Sequence, residues 1–146
     1  MINLAEEQVA RMSVCAIALI LVVGVVSVTQ AQHPDLSPRE VVQLWLQVYP
    51  RQLEKAADLT TLAFRQGGFK EDWVITQKPL LHGLQMRYIK TKIFHDEIRA
   101  PYARVLVHAR LSTWMGAQEL DEQYLLLRGS DGSWLIDRID EYRPEF

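Results

Sequence analysis

Three patterns of hydrophobic and polar positions follow one another along the chain. Between Arg11 and Asp35 no side chain is acidic or basic, and residues 14–28 are almost entirely Ala, Ile, Leu and Val. From Ser37 the pattern becomes helical. Ser37-Pro38-Arg39-Glu40 reads as a capping box with proline in the first turn, where its missing N–H costs nothing. Val41, Leu44, Trp45 and Val48 follow at the i, i+3, i+4, i+7 spacing of one buried stripe, and Pro50 ends the helix near Tyr49. Leu53, Ala56 and Ala57 predict a second, short helix, and Gly67-Gly68 breaks the chain. Phe69, Trp73, Leu80, Leu81 and Leu84 predict a third helical region, interrupted or kinked at Pro79 and ended by Gly83.

After Leu84 the period falls to two. Gln85 to Ile98 is rich in β-branched and aromatic residues, and Arg99-Ala100-Pro101 supplies a break. Ala103, Val105, Val107, Ala109 and Leu111 then alternate with Arg104, Leu106, His108, Arg110 and Ser112, so one strand face is apolar throughout. Met115-Gly116-Ala117 turns the chain into Glu119 to Arg128, and Gly129-Ser130-Asp131-Gly132 closes a hairpin onto Ser133 to Tyr142. Helices followed by an antiparallel meander predict an α+β domain: N-terminal helices packed on a curved antiparallel sheet of about four strands.

The apolar N-terminal run divides the chain. As a helix over 12–28 it would reach roughly 26 Å at about 1.5 Å per residue, slightly less than the ~30 Å hydrocarbon thickness of a bilayer. Thr29-Gln30-Ala31 resembles a signal-cleavage site, although the leader is scarcely basic, with Glu6 and Glu7 opposing Arg11. Residues 1–31 therefore read as a signal peptide or a single membrane anchor, and translation from Met12 would shorten the leader and favour the signal. Residues 32–36 follow as a short linker, and 37–146 as the domain. Both readings put the domain outside the cytoplasm, periplasmic or at the cell surface. Its contact with the membrane, if uncleaved, runs through residues 12–28.

Composition narrows the chemistry. The 146 residues carry 16 basic and 18 acidic groups, which excludes a polybasic nucleic-acid arm and a disordered tail. Cys15 is the one cysteine and sits in the apolar run, so the domain has no disulfide, thiol nucleophile or thiolate metal site. His33, His82, His95 and His108 are scattered without ligand spacing, which predicts no metal; no glycine-rich phosphate loop, serine nucleophile elbow or zinc-protease motif occurs, and no cofactor is expected. His108 reads as a polar residue on the outer sheet face. Asp121-Glu122 and Asp140-Glu141 are adjacent pairs whose members point to opposite faces of a strand, so neither forms a two-carboxylate site by itself, and both read as solvated edges. The run from Met86 to Lys92 mixes basic and aromatic residues, but the near-neutral charge argues against a nucleic-acid partner.

The capped helix over 37–49, Leu53-Glu54-Lys55-Ala56-Ala57, the run Ala103-Arg104-Val105-Leu106-Val107 and the hairpin ending in Gly132-Ser133-Trp134-Leu135-Ile136 together resemble the superfamily of nuclear transport factor 2 and ketosteroid isomerase. The resemblance covers about residues 37 to 142 and implies a cone-shaped α+β barrel. Enzymes of this superfamily hold a carboxylate base and tyrosine or acid donors inside the cone, and an epoxide-hydrolase branch uses two aspartates with an arginine between them. Asp137, Tyr124 and Arg110 have the right types, with no motif tying them to those positions. Trp45, Tyr49, Trp73, Leu84, Tyr124 and Trp134 are the expected pocket lining. The expected function is an exported, non-enzymatic domain binding a small apolar molecule or an envelope protein, with a homodimer through the sheet. An isomerase, dehydratase or hydrolase working inside the cone, and a membrane-anchored assembly subunit, are the alternatives.

Overall fold

The computed structural model describes residues 35–144, so the apolar run and the boundary at Ala31 lie outside the described residues. Helix α1 spans Pro38–Val48. The capping box is present: the Glu40 N–H donates to Ser37 Oγ at 3.3 Å, and the Ser37 N–H donates to the Glu40 carboxylate at 2.8 Å. That carboxylate is held below its ordinary range by the Ser37 N–H first and then by the Ser37 side chain. The inward stripe of α1 is Val41, Val42, Trp45 and Val48, all buried, with Leu44 only partly covered.

Helix α2 is Leu53–Ala57 and α3 is Lys70–Leu84. α3 runs without interruption past Pro79 and through Gly83. The left-handed cap falls instead on Gln85, φ 50°, whose N–H reaches the carbonyls of Leu81 and His82. Glycine suits that conformation best, yet a non-glycine residue adopts it here because its N–H satisfies the free carbonyls of the last turn. α3 rests on α2 through Val74 and Leu81, which pack with Leu53 and Ala57.

Four antiparallel strands follow: β1 (Arg87–Arg99), β2 (Tyr102–Thr113), β3 (Gly116–Arg128) and β4 (Trp134–Glu141), in the order β1-β2-β3-β4. The sheet is curved and unclosed. Ala103, Val105, Val107 and Ala109 of β2 face α1, with Leu126 and Tyr124 of β3 and Ile136 of β4 beside them. The strict alternation of β2 thus becomes the floor of the main core. Breaks in register between Tyr88 and Lys90, Ile93 and His95, and Leu125 and Leu126 bend the outer strands more than a flat ladder allows. Past α2, the chain lies along the edge of β4. Thr60 forms a parallel bridge to Ile136, with the Ile136 N–H on the Leu59 carbonyl at 2.7 Å and the Thr61 N–H on the Ile136 carbonyl at 2.9 Å. Among the described residues no helix is long and apolar enough to cross a membrane.

Candidate functional site

The concave side of the sheet holds a polar group where alternation alone would place an apolar one. Glu122 of β3 points into the cone, 7% exposed, opposite Val107 and two residues from Tyr124. The Tyr124 hydroxyl donates to its carboxylate at 2.7 Å, and the Tyr88 hydroxyl lies 3.1 and 3.2 Å from the two carboxylate oxygens. The two phenol oxygens are 3.4 Å apart. Burial raises the Glu122 pKa, because taking a carboxylate out of water disfavours its charged form, while the two tyrosine donors pull the other way. Burial also pushes Tyr88 and Tyr124 upward, helped by the neighbouring carboxylate. Tyr49 is pushed to about 12, by burial first and then by Glu122.

Such a cluster can do two things. Ionised, Glu122 is an acceptor for two phenols; protonated, it is itself a donor, and with the tyrosines it can hold a developing negative charge or exchange one proton. The sequence pairs Asp121 with Glu122 as solvated acids. The structure separates them: Asp121 is outside, its carboxylate 2.7 Å from His108 Nδ1, and Glu122 is inside. The alternation rule carries the opposite facing of the pair, but what surrounds the inner position comes from elsewhere: Tyr88 from β1 and Tyr49 from the end of α1. In the sequence Tyr88 belongs to a run of basic and aromatic residues, and the break in register after it marks its turn toward the cone.

An open cavity of about 580 Å3 lies beside α3. Its apolar wall is Tyr49, Phe64, Trp73 and Leu80, and its polar wall is Arg65, Gln66, Asp72, Thr76 and Gln77. The aromatic wall is continuous with the core. Tyr49 stacks on Trp45 at 4.5 Å between ring centroids, Phe64 meets Trp45 edge-on at 5.6 Å, and Phe64 lies 6.0 Å from Trp73. Arg65 fastens the loop that carries Phe64. Its Nη1 donates to the Thr60 carbonyl and hydroxyl at 2.7 and 2.8 Å and to the Ala57 carbonyl at 3.3 Å, and its Nε donates to the Gly68 carbonyl at 3.2 Å. The same loop turns at Gln66 and Gly67, both left-handed, and Gly67 with φ 81° meets no neighbour that forbids a side chain, so backbone conformation is what calls for glycine there.

The residues expected to line a pocket therefore divide. Tyr49 and Trp73 line this cavity; Trp45 is one ring behind it, buried, with its indole N–H lacking an acceptor among the described residues. Tyr124 belongs to the Glu122 cluster, which does not line the cavity. Leu84 is half-exposed at the far end of α3, and Trp134 is packed at the start of β4 under the Arg128 guanidinium, 5.8 Å from its ring. Of the expected catalytic types only Tyr124 is inside the cone. Asp137 accepts from the Thr61 hydroxyl at 2.7 Å, and Arg110 is exposed on a strand face opposite Glu119. Among the described residues no three metal-ligating side chains converge.

No protein family of known profile matches the chain, and no curated protein does. Solved structures do. A protein containing a SEC-C motif from Rhodopseudomonas palustris aligns over 73% of this chain and 80% of its own, with TM-score 0.58 and 11% identity. A ketosteroid isomerase-like protein from Erwinia carotovora atroseptica aligns over 73% and 94%, with TM-score 0.50 and 14% identity. A designed protein of the nuclear transport factor 2 class aligns over 71% and 95%, with TM-score 0.51 and 12% identity. At such identities the likeness is one of fold. The chain has the nuclear transport factor 2-like fold.

Proposed function

We propose that this domain of nuclear transport factor 2-like fold is an exported, non-enzymatic binding module that takes a small, largely apolar molecule in the cavity beside α3. The observation that carries the reading is the aromatic wall of Tyr49, Phe64 and Trp73 around a space of about 580 Å3, faced by a few polar groups that orient a ligand. Export rests on the uncharged apolar run over 12–28 and the cleavage-like Thr29-Gln30-Ala31 after it. Intact mass of the native protein distinguishes a secreted domain beginning at Gln32 from an envelope subunit held by that run. The binding test is a titration of the full-length chain with anilinonaphthalene sulfonate, read by quenching of tryptophan emission. A saturable signal that disappears in Leu80→Trp, which fills the cavity from an exposed position, supports the site; a signal unchanged by that substitution refutes it.

The enzymatic alternative draws on a different observation, the buried carboxyl of Glu122 between two phenols. It places general acid–base chemistry on a carbonyl or epoxide substrate inside the cone. Against it, Glu122, Tyr88 and Tyr124 satisfy one another and lie outside the cavity lining, with Tyr49 the residue common to both neighbourhoods. Turnover of an enone or epoxide that is lost in Glu122→Gln would replace the binding reading with this one.

A further inference from the structure

The basic run that the function leaves unused lies on the free edge of the sheet. β1 is an edge strand, and among the described residues its outer edge pairs with nothing. Beside it, between α1 and β1, runs a groove of about 650 Å3 with Leu46 and Ile93 among its lining. Gln43, Gln47 and Thr91 supply neutral donors and acceptors, Lys92 supplies unpaired positive charge, and Arg39 is already paired with Asp96. Among the described residues no acid lines the groove. Arg87, Lys90 and Lys92 are exposed and form no ion pair among the described residues, whereas the acids of the same strand are already held: Asp96 by Arg39 at 2.8 Å, and Glu97 by Arg99 at 2.6 Å and Arg104 at 3.1 Å.

We propose that this edge and groove bind an extended, acidic peptide segment of a partner protein, added as a strand alongside residues 89–93. Free main-chain N–H and C=O groups supply the pairing, and the unneutralised cations select acidic side chains. A second copy of the chain fits less well. Antiparallel pairing of β1 with itself would offer Lys90 and Lys92 only the acids of the same strand, Asp96 and Glu97, which are already neutralised by Arg39, Arg99 and Arg104.

The test uses the full-length chain in mild detergent with a labelled peptide of roughly nine residues alternating threonine and glutamate, a length matched to one strand. Anisotropy should show binding that weakens as salt rises, and the double variant Lys90→Glu, Lys92→Glu should weaken it by about tenfold or more. Amide exchange at 89–93 should slow in the complex. Four results would overturn the proposal: equal binding of a threonine–lysine peptide, tighter binding of a thymidine oligonucleotide, no slowing at 89–93, or slowing in the free chain that grows with its concentration, which would assign the edge to a second copy. Both lysines are exposed, so a folded double variant is expected and is checked by circular dichroism.

Discussion

Asp121 and Glu122 are neighbours in sequence and opposites in environment. Asp121, on the convex side, keeps about a third of its side chain in water beside His108. Glu122, on the concave side, is buried with Tyr88 and Tyr124 around it. The chemistry of the two carboxylates is the same, so the difference belongs to the sheet face. Water screens the first pair and leaves it little net energy, while the second gives up hydration and depends on its two donors.

The contrast can be broken from the concave side with the largest effect. Trp45→Ala removes the ring on which Tyr49 stacks and against which Phe64 packs, and should cost about 3–5 kcal/mol of unfolding free energy, measured by denaturant titration. Glu122→Leu leaves the Tyr124 and Tyr88 hydroxyls without their carboxylate acceptor, and each orphaned group costs about 1–3 kcal/mol. The loss should shrink when Tyr88→Phe and Tyr124→Phe are added, because the orphaned hydroxyls go with them. On the convex side, a double-mutant cycle of His108→Ala with Asp121→Ala should return a coupling of only about 0.2–1 kcal/mol.

The pH dependence sharpens the same comparison. The pKa of Glu122 is raised in the folded state, so its contribution is fully present below the unfolded value of about 4.3 and is lost as pH rises through the folded value. Glu122→Gln should therefore flatten the decline in stability on the alkaline side of that window, as followed by thermal melts at successive pH values. A decline of equal slope in the variant would mean that Glu122 is not its source. The exposed Asp131 and Glu141 work in the opposite sense. Hydrogen bonds from Ser133 lower the first and Arg143 lowers the second, so their small contributions are present above the unfolded pKa and fade as pH falls through the folded one.

Much of this architecture was legible in the sequence because its signals are local. The Ser37–Glu40 box, the stripe from Val41 to Val48 and the alternation of β2 are periodicities set by backbone geometry, and the observed elements follow them. Where the local signal misleads, tertiary contact is the cause. Gly83 looks like a helix terminus, but the helix continues to Leu84 and Gln85 takes the cap, since the chain must turn into β1 at that point and the Trp114 N–H meets the Leu84 carbonyl at 3.0 Å. Leu84 and Trp134 have the composition of pocket residues, yet their places at the end of α3 and the start of β4 keep them out of the cavity.

The sequence by itself determined the order and kind of the elements, the apolar face of the sheet, the opposed facing of Asp121 and Glu122, and the separation of an uncharged N-terminal run from a cysteine-free domain. Tertiary structure alone decided that Glu122 is dry and ringed by tyrosines 34 and 2 residues away along the chain, that Tyr49, Phe64 and Trp73 share one wall, and that β1 stands at the edge of the sheet, unpaired on its outer side among the described residues. Periodicity records which way a side chain points; what it meets there depends on residues distant in the chain and on breaks in register, and burial and pKa follow from that meeting.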